Sequence, residues 1–249
     1  MRLAPALALV LFAAPAFADC DVAWRAIRPG LEYRTINCLN PKGDVDMHLF
    51  RIDLRRWDLG VDVITDRNRT ARQVFNDAGA GFVMNANFFD QQGKPIGLIV
   101  DDDREVQELH ESSWQSIFFV SDEGVPKIVM PDEWEKYVDD AAIAVQAGPR
   151  LVVDGEVVKV KESYASERGG VCIRRNGDLL FFITPRGRKF LMKEIASLAG
   201  KPESEGGLEC RNAMLFDGGH SAQVYTEERD DAIAVSGDPV PVFLTATRK

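Results

Sequence analysis

The segment richest in chemistry-bearing side chains is Asp217-Gly218-Gly219-His220-Ser221, which follows the apolar residues 213–216. Glycines after a strand let the backbone approach a ligand closely and present its N–H groups. A carboxylate, an imidazole and a hydroxyl beside them are groups that bind or attack substrates. The same spacing is typical of a tight turn between two strands, and both interpretations stay open.

This segment also comes close to the nucleophile elbow of serine hydrolases. The elbow has the pattern Gly-x-Ser-x-Gly, whereas the corresponding run from Gly219 ends in Gln223. A serine triad would need one of the chain's three histidines, His48, His110 or His220. A serine hydrolase is therefore an alternative that depends on this near match alone.

Amide side chains end a second apolar stretch, at Asn85 and Asn87. Amides both donate and accept hydrogen bonds, and residues two apart share a strand face, although a strand-end turn would also explain them. Gln146 precedes a Gly-Pro turn, and Arg168 precedes two glycines. The planar guanidinium of Arg168 could hold a phosphate through two parallel hydrogen bonds, or form a surface ion pair.

Charge limits the class of partner. The chain of 249 residues carries 30 Lys and Arg against 39 Asp and Glu, a net charge of -9. This balance argues against nucleic acid as a partner, so any phosphate must be bound by local groups. The acidic run 101–103 is typical of a solvated turn. Calcium binding is the alternative, but no EF-hand spacing follows the run to favour it. The sequence predicts no metal site and no cofactor.

The first 18 residues have the features of a secretory signal peptide. Arg2 precedes an apolar run, and Ala16-Phe17-Ala18 matches a cleavage site. The predicted mature domain is 19–249. Lipidation needs small residues immediately before the modified cysteine, whereas Phe17 and Asp19 precede Cys20, so we do not expect it. No later stretch approaches the roughly 20 apolar residues that span a bilayer. We expect a secreted or periplasmic protein with no stable membrane insertion after signal removal.

Four cysteines, Cys20, Cys38, Cys172 and Cys210, fit no zinc-binding spacing. In an oxidising compartment an even number of cysteines favours disulfides. Of the three possible connectivities we favour Cys20 with Cys38 and Cys172 with Cys210, because each pair lies within one region of the chain. Free buried thiols are the alternative.

The elements that must position these residues are mostly short strands. Asp154-Gly155 and Asn176-Gly177 predict hairpin turns, and Thr70 predicts the start of a helix toward Gly79. A second helix is expected over 190–198. Regular alternation of strands and helices is missing from the pattern. The sequence therefore predicts a single α+β domain with a mostly antiparallel β-sheet core and a few helices.

In this order, the motifs resemble those of the phosphodiester glycosidase family. The resemblance covers roughly residues 80 to 246 and is carried by 85–89, 97–100, 146–155, Arg168 and 212–221. The order and the Asp-Gly-Gly motif make it specific. The chain departs from the usual family pattern at Phe216, His220 and Ala222, so the substrate could differ from that of the best-known member, which removes N-acetylglucosamine from a mannose 6-phosphate diester.

The resemblance implies hydrolysis of a sugar 1-phosphodiester between the anomeric carbon and oxygen. The expelled phosphate monoester has a second pKa of about 6 and needs little protonation. The usual pair of glycosidase carboxylates could then be reduced to one. In this interpretation Asp217 is the nucleophile or base, Arg168 clamps the phosphate, and His220 donates to phosphate or acts as general acid.

Substrate-binding roles follow from the same resemblance. The N–H groups of Gly218 and Gly219 are expected to donate to an oxyanion, and Ser221 to contact the substrate. The amides of Asn85, Asn87 and Gln146 suit sugar hydroxyls. The alternative function is a non-catalytic module that binds a sugar phosphate or polysaccharide through the same groups.

Overall fold

The computed structural model describes residues 23–40, 42–65, 68–160, 164–229 and 231–249. These residues form many short strands and two α-helices. The first elements are β1 (Arg25–Arg28), β2 (Leu31–Ile36), β3 (Met47–Ile52), β4 (Trp57–Val63), α1 (Ala71–Ala78), β5 (Phe82–Asn85), β6 (Phe88–Phe89), β7 (Pro95–Ile96), β8 (Ile99–Asp101), β9 (Arg104–Gln107), β10 (Ser116–Ser121) and β11 (Pro126–Val129). The later elements are β12 (Ala141–Ala147), β13 (Arg150–Val153), β14 (Glu156–Val157), β15 (Gly169–Arg174), β16 (Leu179–Ile183), α2 (Met192–Gly200), β17 (Cys210–Leu215), β18 (Val224–Glu228), β19 (Asp231–Val235) and β20 (Val242–Arg248).

The strands form three large sheets and one two-stranded ribbon. An eight-stranded sheet has the order β1-β2-β3-β16-β15-β17-β13-β14. Two five-stranded sheets have the orders β11-β10-β12-β8-β9 and β19-β18-β5-β20-β4, and β6 pairs with β7. Every strand pair among the described residues is antiparallel. The expected architecture of mostly antiparallel sheets with few helices is confirmed.

The main hydrophobic core lies between the sheets. Its centre is a series of aromatic rings, in which Phe82 lies 5.1 Å from Phe50 and 5.3 Å from Phe181, centroid to centroid. Phe118 and Phe181 in turn contact Phe216, at 6.5 and 6.4 Å. These rings come from all three large sheets and from the residue after β17. The core therefore fixes the backbone immediately before Asp217.

Each helix covers the outer face of a sheet. The buried Val74 and Phe75 of α1 pack with Tyr225 of β18, and Ile195 and Ala199 of α2 pack against the eight-stranded sheet. The predicted start of α1 is confirmed, because the Thr70 hydroxyl accepts a hydrogen bond from the Gln73 N–H. The second helix was expected over 190–198 and is found over Met192–Gly200.

The predicted Cys172–Cys210 disulfide is confirmed, with a Cα–Cα distance of 5.5 Å. It joins the neighbouring strands β15 and β17. Cys38 is also disulfide-bonded, but Cys20 lies outside the described residues, so the pairing of Cys20 with Cys38 stays a prediction. The proposed signal peptide, 1–18, lies outside the described residues as well.

Candidate functional site

Three neighbouring strands of the eight-stranded sheet have their ends side by side, on the same side of the sheet. β13 and β15 begin there and the antiparallel β17 ends there, as the pairing of Gly170 with Leu215 shows. Two backbone hydrogen bonds tie the end of β17 to its neighbours: Leu215 N donates to Pro149 O at 3.0 Å, and Phe216 N donates to Gly169 O at 2.9 Å. The side chains next to these bonds are those of Arg150, Arg168 and Asp217.

The backbone of Asp217 is held from the opposite sheet. Its N–H donates to Ala86 O at 2.9 Å, and its carbonyl accepts a hydrogen bond from Asn85 Nδ2 at 2.7 Å. The other end of the Asn85 amide, Oδ1, accepts from Gln223 N at 2.9 Å. Asn85 is buried, and both ends of its amide are bonded to the backbone. It positions Asp217, whereas its expected contact with a sugar hydroxyl stays a prediction.

The Asp217 carboxyl has an unusual acidity. Burial raises its pKa from the ordinary 3.8 to about 6. Hydrogen bonds from the Ser221 hydroxyl and the Gly218 backbone oppose this shift, because they stabilise the ionised form. A carboxyl with this pKa changes its protonation state between pH 5 and 7, which is the range in which a general acid or base operates.

The two glycines after Asp217 are required by the backbone geometry. A Cβ at Gly218 would lie 2.7 Å from Glu167 O, which is too close for any side chain. Gly219 has φ +58 and donates its N–H to Glu167 O at 2.9 Å. The Gly219 N–H is therefore hydrogen-bonded within the protein, as is that of Gly218 to the Asp217 carboxyl. Their expected role as oxyanion donors stays a prediction.

Asp217 faces a cavity of about 900 Å³. Among the described residues, Asp217 is the only lining residue with a carboxylate, whereas three carry a positive charge: Arg150, Lys159 and Arg168. The protein carries a net negative charge, yet this cavity is locally basic. Local cations of this kind are what a net acidic protein needs to bind a phosphate. Four lining residues are aromatic: Phe88, Trp114, Tyr164 and Phe216.

Arg168 is buried at the base of this cavity. Its Nε donates to Phe190 O at 3.3 Å and its Nη2 to Tyr164 O at 3.1 Å. Its backbone N–H donates to Thr184 Oγ1 at 2.9 Å. Its side-chain stem lies beside Gly218, since a Cβ built on that glycine would be 4.0 Å from Arg168 Cδ. The guanidinium is therefore held in a fixed orientation near Asp217.

Arg150 was not expected to be part of the site. It is partly buried, and burial lowers the pKa of its guanidinium. Its Nη2 donates to Asn212 Oδ1 at 3.1 Å, whereas its buried Nε has no hydrogen-bond partner among the described residues. Because Arg150 also lines the cavity, its guanidinium adds a positive charge that suits an anionic ligand.

Sequence reasoning also missed Lys159, Trp114, Tyr164 and Ser166, all of which line the cavity. Trp114 is 53% exposed and its ring lies 5.5 Å from that of Phe88. Phe88 is partly buried, so the pair offers one exposed and one half-buried aromatic ring to a ligand. Two sequence signals lie near the missed residues: Arg150 belongs to the Gly-Pro-Arg run, and Ser166 lies two residues before Arg168. The loops that carry the others have no pattern that predicts their position.

None of the three expected sugar-binding amides, Asn85, Asn87 and Gln146, lines the cavity. Gln146 is buried, and its Oε1 accepts from Leu98 N at 2.8 Å and His110 N at 3.0 Å. Its Nε2 donates to His110 O at 2.6 Å. Asn87 is also buried and donates to Leu98 O at 3.1 Å, while its Oδ1 has no partner among the described residues. Both amides stabilise loops beneath the site, and their contact with substrate stays a prediction.

His220 and Ser221 point to different neighbours. His220 is exposed, and its Nδ1 lies 3.4 Å from both Asp238 Oδ2 and Arg186 Nη2. It does not line the cavity. Ser221 instead donates its hydroxyl to the Asp217 carboxyl. No histidine–Ser221 hydrogen bond is found in the described part of the chain, so nothing in this geometry supports the serine-hydrolase alternative.

Within the described ranges, no group of three His, Cys, Asp or Glu side chains could hold a metal ion. None of the helices described here is both long and apolar enough to cross a membrane.

The antiparallel sheets and the basic cavity around one carboxyl define a β-rich protein with a site suited to an anionic small molecule. The chain belongs to the phosphodiester glycosidase family, whose model matches residues 78–244. The resemblance seen in the sequence is thereby confirmed. Family membership supports a hydrolase of the glycosidase type that acts on a carbohydrate. No curated protein matches the chain.

Solved structures share the fold at low identity. The zebrafish N-acetylglucosamine-1-phosphodiester alpha-N-acetylglucosaminidase catalytic domain, auto-inhibited by its pro-peptide, matches with a TM-score of 0.66 and 15% identity, over 89% of this chain and 85% of that one. A hypothetical protein from Synechocystis matches at 0.62 and 13%, over 88% and 62%. A protein described as exported, from Burkholderia pseudomallei, matches at 0.50 and 11%, over 80% and 73%.

Proposed function

We propose that this protein hydrolyses the glycosidic bond of a sugar 1-phosphodiester, with Asp217 as the catalytic carboxyl. The observation that carries the proposal is the composition of the cavity. Among the described residues one carboxyl, with a pKa of about 6, lines it together with three cationic side chains. This combination matches a reaction in which one group activates the nucleophile and the others stabilise an anionic leaving group.

The proposed reaction breaks the bond between the anomeric carbon and the bridging oxygen. The electron pair of that bond leaves with the phosphate monoester, and the oxygen of water becomes bonded to the anomeric carbon. Ionised Asp217 takes the proton from the attacking water, or attacks the carbon first and is released by water in a second step. Inversion or retention of configuration in the first-formed sugar separates these two routes.

Cations stabilise the leaving group in this proposal. Arg168 is held by the carbonyl oxygens of Phe190 and Tyr164, so its positive charge is fixed near Asp217 and little side-chain entropy is lost when a phosphate binds. Arg150 adds a second guanidinium. We further propose that the protein is secreted or periplasmic, since it contains a disulfide and shares its fold with a protein described as exported.

Turnover of a synthetic sugar 1-phosphodiester panel tests the proposal. We expect release of sugar by the wild-type protein, loss of release in Asp217→Asn, and unchanged release in the control Asp139→Asn, which alters an exposed carboxylate outside the cavity. Inorganic phosphate should compete with substrate. Binding of the diesters without any turnover would instead favour the non-catalytic carbohydrate-binding function.

A further inference from the structure

The cavity contains more apolar surface than a sugar phosphate needs. Besides the aromatic rings, its wall includes Val153, Val158, Val160 and Met192. Only three of the described lining residues carry a hydroxyl group: Ser113, Tyr164 and Ser166. None of the described lining residues carries an amide side chain. A pocket lined mainly by sugar-binding groups would have the opposite balance, because each sugar hydroxyl needs a polar partner when it is buried.

The apolar wall is separated from Asp217 by a cation. The strand order β15-β17-β13-β14 puts β13, which begins with Arg150, between the end of β17 and the edge strand β14. Val153 ends β13, and Val158 follows β14 with its N–H bonded to Leu151 O at 2.9 Å. Moving outward from Asp217, a ligand would thus meet Arg150 and then the valines.

We infer that the second substituent of the phosphodiester, on the side away from the sugar, is an apolar group bound against Val153, Val158, Val160 and Met192. This inference rests on the proposed function for the identity of the ligand. The sugar lies at Asp217, the phosphate at the guanidinium groups, and the apolar acceptor on the valine wall. The volume of about 900 Å³ leaves room for all three parts.

Lys159 supports the same arrangement. It lies between Val158 and Val160 in the sequence and also lines the cavity. A basic residue flanked by apolar ones suits a ligand in which a phosphate adjoins an apolar chain. The ligand class is therefore an amphiphilic phosphodiester rather than one that joins two sugars.

Calorimetric titration of alkyl phosphates measures this subsite without requiring turnover. Burial of a methylene strengthens binding by up to about fourfold, so hexyl phosphate should bind at least about tenfold more tightly than methyl phosphate. Val158→Asn should reduce the hexyl-to-methyl ratio, because it places an amide on the wall while keeping the backbone hydrogen bond. The control Val125→Asn, at an exposed position outside the cavity, should keep the ratio.

Equal affinity for the two esters, or no detectable binding of hexyl phosphate, would overturn the inference. Turnover of a methyl-capped sugar 1-phosphodiester, measured in parallel, reports on the proposed function separately. Turnover with equal affinities leaves the function intact and removes the apolar subsite. Tight hexyl phosphate binding without turnover removes the hydrolytic function and keeps the subsite.

Discussion

Asp217→Asn is predicted to stabilise the protein at neutral pH while it removes activity. The wild-type carboxyl has a pKa of about 6 in the folded protein against an ordinary value of 3.8. The unfolded chain therefore loses this proton more readily, and stability falls as the pH rises from 3.8 through 6. A shift of about two units corresponds to about 3 kcal/mol, since each unit is about 1.4 kcal/mol. Asparagine has no charge to bury and does not lose this stability.

The gain in stability from Asp217→Asn should grow as the pH rises. We expect the difference in unfolding free energy between variant and wild type to be about 2.5 kcal/mol larger at pH 7.5 than at pH 4, where little of the penalty remains. For a chain of this size, about 3 kcal/mol corresponds to a rise in Tm of roughly 6 to 12 °C. The Ser221 hydroxyl and the Gly218 N–H can still donate to the Asn oxygen.

Urea unfolding of both proteins at the two pH values, with kcat measured on the same samples, tests this prediction. Other titrating groups are common to both proteins, so their contributions cancel in the difference. If the free energy of unfolding depended on pH in the same way in both proteins, burial would not raise the pKa of this carboxyl as argued. Near-normal kcat in the stabilised variant would remove Asp217 from catalysis.

Three further outcomes are expected. Arg168→Lys should lower kcat/KM on phosphodiesters about 10- to 100-fold, because an ammonium cannot reproduce a held guanidinium fork; the exposed control Arg55→Lys should not, and equal losses in both would contradict the clamp. Replacing Cys172 and Cys210 by Ala should lower the free energy of unfolding by about 4 kcal/mol in a denaturant titration, since the bond closes a separation of 38 residues; a loss below about 1 kcal/mol would contradict this. Burial lowers the pKa of His48 to about 4, so stability should fall by up to about 3 kcal/mol from pH 6.5 to 4. His48→Gln should flatten this acid limb, and an unchanged limb would contradict the assignment.

Local patterns in the sequence predicted the parts of the fold that local physics controls. The hairpin at Asp154-Gly155 forms between β13 and β14, and Thr70 caps α1 as expected. The strand β12 was missed, because four of its seven residues are alanine, which has low β propensity. Its pairing with β8 and β10 stabilises it as a strand, and such long-range contacts leave no local signal.

The site was predictable where a residue adjoins a recognisable motif. Asp217 and Arg168 both line the cavity, as the Asp-Gly-Gly and Arg-Gly-Gly runs suggested. The amides of Asn85 and Gln146 were chosen for their chemistry, but in the fold they bond to the backbone. Sequence alone cannot separate these two uses of an amide, because both need the same donors and acceptors.

Hydrolysis in water labelled with oxygen-18 tests the central proposal most directly. Attack at the anomeric carbon leaves the label in the released sugar and none in the phosphate monoester, and mass spectrometry of the two products distinguishes them. We predict label in the sugar alone, with its incorporation abolished in Asp217→Asn. Label in the phosphate monoester would mean that the phosphorus–oxygen bond is cleaved, and would contradict a glycosidase mechanism at this site.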